Sequence, residues 1–222
     1  MNINTNLTAV SEKINKIFYE VNKAVIGKND IIAKVLMAII SSGHILIEDM
    51  PGVGKTTMAL AFSKVLSLEY KRIQFTPDVL PTDIVGFSVY NPSNNKFEYK
   101  HGAAICNLFL ADEINRTSSK TQSALLEIME ERRITIEGKS FNLPKPYIVI
   151  ATQNPIGSIG TQMLPESQLD RFTIKLNMGY PDIKDEINIL KSKNTDSLNK
   201  IKPVATADDI VIFQRIAEQI YV

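Results

Sequence analysis

The chain has 222 residues, 44% of them hydrophobic and 22% charged, with a formal net charge of +1. These values describe a globular protein long enough to bury a real core, and they exclude a disordered tail or a strongly basic nucleic-acid coat. The single cysteine, Cys106 in the apolar run "AICNLFL", excludes an internal disulfide, a cysteine zinc cluster and a redox pair.

The N-terminus "MNINTNLTAV" has neither the basic nor the apolar region of a secretion signal, and no apolar run reaches the length of a membrane span. The expectation is a soluble, cytoplasmic protein with no integral membrane segment and no nucleic-acid partner. In chain order, Leu7, Val10, Ile14, Ile17 and Val21 recur at helical spacing, as do Ile31, Ile32, Val35, Leu36, Ile39 and Ile40. Two helices therefore precede the short apolar strand "HILIE", and after a glycine-rich loop "TTMALAFSKVL" reads as a third. Further strands read as "KRIQF", "NLFLA", "PYIVIA" and "FTIKL", alternating with helical or loop sequence, which predicts a parallel sheet with helices on both faces.

Two hairpins interrupt that frame. "IVGFSVYNPSNNKFEYK" turns at residues 92–95, and "RITIEGKSFNL" turns at Gly138 after the helix "SSKTQSALLEIMEER". The polar stretch at 194–205, with Pro203, reads as a linker, and "ADDIVIFQRIAEQIYV" reads as a helix capped by Thr206. That helix has no evident partner for its apolar face, so 206–222 is expected to open a second domain of which the chain holds only the start.

The chemistry gathers on the loop "EDMPGVGKTT". Glycines allow successive backbone N–H groups to converge on phosphate oxygens, Lys55 can neutralise the outer phosphates, the Thr56 hydroxyl can ligate Mg²⁺, and the following helix adds a favourable N-terminal dipole. Pro51, Gly52, Val53, Gly54, Lys55, Thr56 and Thr57 are the candidate binding residues. Where the G-x-x-x-x-G-K-[ST] pattern begins with glycine, this chain has Asp49. A carboxylate aimed at a triphosphate would repel it, so Asp49 is expected to face away from the phosphates.

Asp112 and Glu113 close the strand of "NLFLADE", where the first acid can hold Mg²⁺ and the second can polarise an attacking water. Asn154, at the end of "VIATQNP", lies at the same sheet edge and can reach the γ-phosphate or the water; Asn-Pro also simply starts turns. Arg116 and Arg171 are either surface ion-pair partners or cations supplied in trans to phosphoryl transfer, an effect of ~10³–10⁵ in rate. His44 and His101 are assigned to structure.

Together "HILIEDMPGVGKTTMA", "RIQFTPDVLPTDIVGFSVYN", "NLFLADEINRTSSKTQSALLEIMEERRITIEG", "VIATQNP" and "LPESQLDRF" resemble the MoxR family of AAA+ ATPases along nearly the whole chain. The resemblance implies an α/β P-loop NTPase fold in the helix-two-insert clade: residues 1–193 as the nucleotide-binding domain and 206–222 as the first helix of a truncated helical lid. It implies ATP and Mg²⁺ as cofactors, Lys55 and Thr56 as Walker A, Asp112 and Glu113 as Walker B, Asn154 as sensor one and Arg171 as the arginine finger. "AVIGKND" resembles the segment that packs on adenine, giving Val25, Ile26 and Gly27 a binding role. Asp49 looks like a family variant. In "KHGAAICNL", His101 and Ala103 stand where prolines are more usual.

The implied activity is ATP hydrolysis coupled to chaperone-like maturation of client proteins, often ones with von Willebrand factor A domains, by a homo-oligomeric ring, expected to be a hexamer. The alternatives are a nucleotide-gated scaffold with incidental turnover and a P-loop kinase acting on a small molecule.

Overall fold

The computed structural model describes residues 3–50, 52–154, 164–191 and 194–220. Its elements are α1 (Ile3–Asn22), α2 (Asn29–Ile40), β1 (Ile45–Glu48), α3 (Lys55–Val65), β2 (Tyr70–Gln74), α4 (Pro81–Val85), β3 (Gly86–Asn91), β4 (Lys96–His101), β5 (Leu108–Asp112) and a 3₁₀ turn at Ile114–Arg116. They continue with α5 (Ser119–Glu131), β6 (Arg133–Ile136), β7 (Lys139–Asn142), β8 (Ile148–Gln153), α6 (Glu166–Leu169), β9 (Ile174–Leu176), α7 (Ile183–Lys191), α8 (Asn194–Lys200) and α9 (Ala207–Glu218).

Five strands pair in the order β2-β5-β8-β1-β9, every pairing parallel. Because side chains alternate across a strand, each apolar strand feeds two cores. Ile45, Ile47, Leu108, Leu110, Ile148 and Ile150 face α1, α2 and α3, joined by Ile17, Val35 and Phe62. Leu46, Phe109, Ala111, Val149 and Ala151 face the other way, onto Leu125, Leu126 and Met129 of α5 and Ile134 of β6. The result is the predicted three-layer α/β P-loop architecture. Each fully buried Leu or Ile contributes roughly 1.5–3 kcal/mol of transfer free energy, which is why such strands tolerate no polar interruption before their ends.

Both hairpins form where the turns predict them, but as separate two-stranded sheets, β3-β4 and β6-β7, outside the main sheet. They meet through Tyr99 and Phe141, stacked with ring centroids 4.5 Å apart.

The C-terminal stretch differs from its sequence reading in two ways. Residues 194–200 form α8, and Ile201 and Ala205 behind it join the core beside α3, with the Lys64 ammonium donating to the Leu198 carbonyl at 2.6 Å. Within α8 only Leu198 is apolar, too little to mark a helical face in the sequence, yet it suffices when a neighbouring helix offers a surface. The last helix, capped by Thr206 and Asp209 as a reciprocal box, is also not alone. Its Ile210 and Phe213 enter the α1–α3 core, the buried Gln214 amide donates to the Ile39 carbonyl at 2.8 Å, and Asp209 pairs with Lys13 at 2.8 Å.

His44, just before β1, is a structural residue. Its Nδ1 accepts the Val149 N–H at 3.0 Å while Nε2 meets the Met129 carbonyl at 3.1 Å, tying β1, β8 and α5 together. Burial lowers its pKa to about 4. Among the described residues no helix is long and apolar enough to cross a membrane.

Candidate functional site

Parallel strands deliver their C-terminal ends to one edge, and the registers place Glu48 opposite Gln153 and Gln74 opposite Asp112 there. The loop leaving β1 runs along this edge into α3. Gly52 and Gly54 have φ of 90° and 97°, and Gly54 caps α3. A Cβ on Gly52 would have no neighbour within 4 Å, and one on Gly54 would come no closer than 3.9 Å to Met178. The requirement for glycine here is conformational, and the space before the loop is free for a ligand.

Lys55 opens α3 in a buried position and donates from Nζ to the Asp49 carbonyl at 2.8 Å. Burial lowers its pKa, opposed by the carboxylates of Asp112, Asp49 and Glu113. Asp112 is also buried. It accepts the Thr152 hydroxyl at 2.6 Å and Arg72 at 2.7 Å, and Thr152 Oγ1 in turn accepts the Glu113 N–H at 2.8 Å. Glu113 has φ of 59°, a left-handed conformation that costs a non-glycine residue roughly 1–2 kcal/mol and breaks the strand direction at the acid. Its carboxylate pairs with Arg116 at 2.7 Å.

Two cavities meet at this edge. One, of about 360 Å³, is lined by Gly52, Gly54, Lys55, Thr56, Thr57, Arg72, Gln74, Asp112 and Glu113. The other, of about 430 Å³, adds to Gly52, Val53, Gly54 and Thr57 the side chains of Val25, Ile26, Lys28, Tyr180, Pro181 and Ile189. Gly52 and Gly54 of the loop and Thr57 in the first turn of α3 belong to both. A long ligand with an anionic end and a flat apolar end fits this pair, as a nucleoside triphosphate would. Magnesium fits as well, since Thr56 and Asp112 line the same cavity and Mg²⁺ ordinarily needs only one or two protein oxygens beside phosphate and water. A dedicated cage is therefore not required, and none of three or more His, Cys, Asp or Glu occurs among the described residues.

The remaining candidates are distributed unevenly. Gly27 lines neither cavity; its φ is 74° and an added Cβ would lie 2.2 Å from Asp185 Oδ2, so it permits the close approach of α7. Pro51 lies outside the described residues. Asn154 is buried and lines neither cavity; its backbone N–H and carbonyl are held by the Asn115 amide at 3.2 and 3.1 Å, while its own Oδ1 has no hydrogen-bond partner. Arg171 lines neither cavity and pairs at the surface with Glu130 at 3.0 Å. Asp49 turns its carboxylate onto the N–H groups of Met50 and Gly179, so its partners lie at the entry to the loop and across in the β9–α7 connection.

Several contributors escape a reading by motif. Arg72 and Gln74 reach the cavity because alternation along β2 puts them on one face; that period is visible in "KRIQF", but its partner Asp112 is not. Thr152 and Asn115 sit inside recognised motifs, yet only the packing of β8 on β5 reveals their bonds to the acids and to Asn154. Tyr180 and Pro181 carry no local signal.

The family described as ATPase family associated with various cellular activities (AAA) matches residues 44–174. Among curated proteins, the uncharacterized protein YeaC of Bacillus subtilis is 47% identical over 91% of this chain and 63% of its own length. Chaperone MoxR1 of Mycobacterium tuberculosis is 39% identical over 97% of this chain and 57% of its own length. The chain thus spans about three fifths of these relatives. A solved structure of a candidate ATPase from Cytophaga hutchinsonii superposes with a TM-score of 0.83 at 37% identity, covering 94% of this chain and 63% of that one.

Proposed function

The chain belongs to the AAA family of ATPases, in its MoxR branch, and from that premise we propose that it binds ATP with Mg²⁺ across the two joined cavities and couples hydrolysis to chaperone-like remodelling of partner proteins. The observation that carries the reading is that Lys55 and Thr56 at the start of α3 and Asp112 and Glu113 at the end of β5, two segments far apart in the chain, line one cavity beside an apolar one. Val25, Ile26, Val53 and the wall at Tyr180 receive the base. Gly52, Gly54, Lys55 and Thr57 hold the phosphates, and Thr56 with Asp112 holds the ion. Bound Mg²⁺ supplies neutralisation of the charge on the β- and γ-phosphates.

Glu113 orients and accepts a proton from the attacking water once it leaves Arg116, and Asn154, which follows β8 in the sheet that carries Asp112, is the residue that senses the γ-phosphate or the water. Arg171 acts on a neighbouring subunit's nucleotide, in a ring that we take to be a hexamer. Its exposed place away from its own chain's cavities supports action in trans. The client is a protein, with a von Willebrand factor A domain as the first class to test, and the compartment is the cytoplasm. Residues 1–193 form the nucleotide-binding unit, and 206–222 contribute to the helical lid.

Replacing Glu113 by Gln keeps the shape of the site and removes the base. ATP should still bind, and phosphate release should fall by ~10²–10⁴. Normal turnover in E113Q would sink the assignment of the base. In mixed rings, Lys55→Ala subunits should restore part of the activity of Arg171→Ala subunits; no rescue would argue against action in trans. A second reading, the nucleotide-gated scaffold, draws on one observation: both acids are engaged by arginines, Asp112 by Arg72 and Glu113 by Arg116. It predicts ATP-dependent client affinity that is the same in E113Q and is unaffected by turnover.

A further inference from the structure

The phosphate reading gives Asp49 no task, but its surroundings do. Its Oδ2 accepts the Gly179 N–H at 2.6 Å and its Oδ1 the Met50 N–H at 2.8 Å. The carbonyl of the same Gly179 accepts from Lys28 Nζ at 3.1 Å, and Lys28 is buried. Gly179 is therefore held at its N–H by an acid from the entry to the phosphate loop and at its carbonyl by a base from the α1–α2 turn. Both holders are charged, and hydrogen bonds to ionised groups are about twice as strong as neutral ones.

What this clasp fixes is the wall of the apolar cavity. Gly179 has φ of 62°, which turns the chain, and the next two residues, Tyr180 and Pro181, line that cavity. The preceding residue, the buried Met178, lies against the phosphate loop at Gly54. Tyr180 is 73% exposed, so little besides the turn at Gly179 holds it in place.

We propose that Asp49 is a positioning residue for the nucleotide base: through the Gly179 N–H it fixes the Tyr180–Pro181 wall against the phosphate loop, while touching neither base nor phosphate itself. The proposal rests on the nucleotide-binding reading above. It explains why the acid is tolerated beside a triphosphate site: both carboxylate oxygens are occupied by N–H groups, and the carboxylate is drawn toward the β9–α7 connection. It also reverses the ordinary expectation for this position. Restoring the glycine of the common loop pattern should harm binding, because the Gly179 N–H loses its acceptor. The competing view, that Asp49 only caps its own turn at Met50, predicts a loss of stability with no change in how the base contributes to affinity.

The experiment compares ATP with inorganic triphosphate, in Mg²⁺ buffer, by calorimetry on the wild-type chain and on D49G, D49A and D49N. D49G should weaken ATP roughly tenfold, the size of one lost hydrogen bond to a charged group, and leave triphosphate within about twofold. D49N keeps one acceptor for Gly179 and should recover most of the ATP affinity. D49A, which removes the same acceptor without adding a glycine and stands in should D49G fail to fold, should shift the ATP-to-triphosphate ratio in the same direction. Equal weakening of both ligands, or an unchanged ratio in D49G and D49A, would overturn the proposal. Failure of the wild-type chain to bind ATP at all would overturn the nucleotide reading with it, and is distinguished by the wild-type titration alone.

Discussion

At the polar end of the joined cavities, Lys55, Thr56, Asp112 and Glu113 stand on a parallel sheet and on the helix that follows its first strand, whereas at the apolar end Val25, Ile26, Tyr180 and Pro181 stand on connections between elements. The first set is fixed by strand registers and by buried bonds such as Thr152 to Asp112. The second is fixed by a few contacts between segments far apart in the chain, chiefly those at Gly179 and the approach of Gly27 to Asp185. The apolar end hangs on fewer such bonds, with Val25 its link to the core, and four experiments probe that contrast.

The largest effect is expected in acid, on the frame that carries the polar end. His44 titrates near its ordinary value of about 6.5 when unfolded but only at about 4 in the native protein, because burial disfavours the imidazolium. Between those values the unfolded state binds more protons, so the contribution is complete above pH 6.5 and is lost as the pH falls toward 4, by about 3 kcal/mol in all. Urea denaturation between pH 4 and 7.5 should show the slope, and His44→Gln should flatten it. An unchanged slope in that variant would place the acid sensitivity elsewhere.

Lys55→Ala comes next. Removing the cation should weaken ATP and inorganic triphosphate alike, by about a hundredfold in calorimetry. Weakening of ATP alone would put Lys55 in the wrong half. Thr152→Val preserves shape but deprives Asp112 of a donor and the Glu113 N–H of its acceptor. A stability loss of about 2 kcal/mol is expected in a denaturant melt, with slower phosphate release. Full turnover in that variant would mean that the two acids need no such brace. The smallest effect belongs to Tyr180→Ala, about threefold on ATP with triphosphate unchanged, since an exposed ring on a connection loses little when trimmed. A tenfold effect there would show that the apolar end is more ordered than its bonds imply.

The same contrast governs what could be read in the chain beforehand. The strands are legible because burial on both faces demands unbroken apolar runs, and the phosphate loop is legible because Gly52 to Thr56 must be contiguous to present their groups together. Asp112 and Glu113 follow from the rule that acids appear where a buried strand ends. Other features were not legible. The polar stretch at 194–205 shows no sign of α8, because Leu198 is the single apolar residue of that helix and one residue makes no stripe until α3 lies beside it. Likewise, α9 showed an apolar face without showing that α1 and α2 would cover it.

By itself, the sequence determined the alternation of strands and helices, both hairpin turns, the phosphate loop and the acidic strand end, since each depends on neighbours within a few residues. Tertiary structure alone decided that Arg72 meets Asp112, that Thr152 serves both acids, that Arg171 lies away from its own chain's cavities, and that Asp49 and Lys28 close on Gly179. The physical reason is distance along the chain. Local propensity and burial pattern are written in adjacent residues, but a hydrogen bond between residues 49 and 179 exists only after the core has brought their segments together.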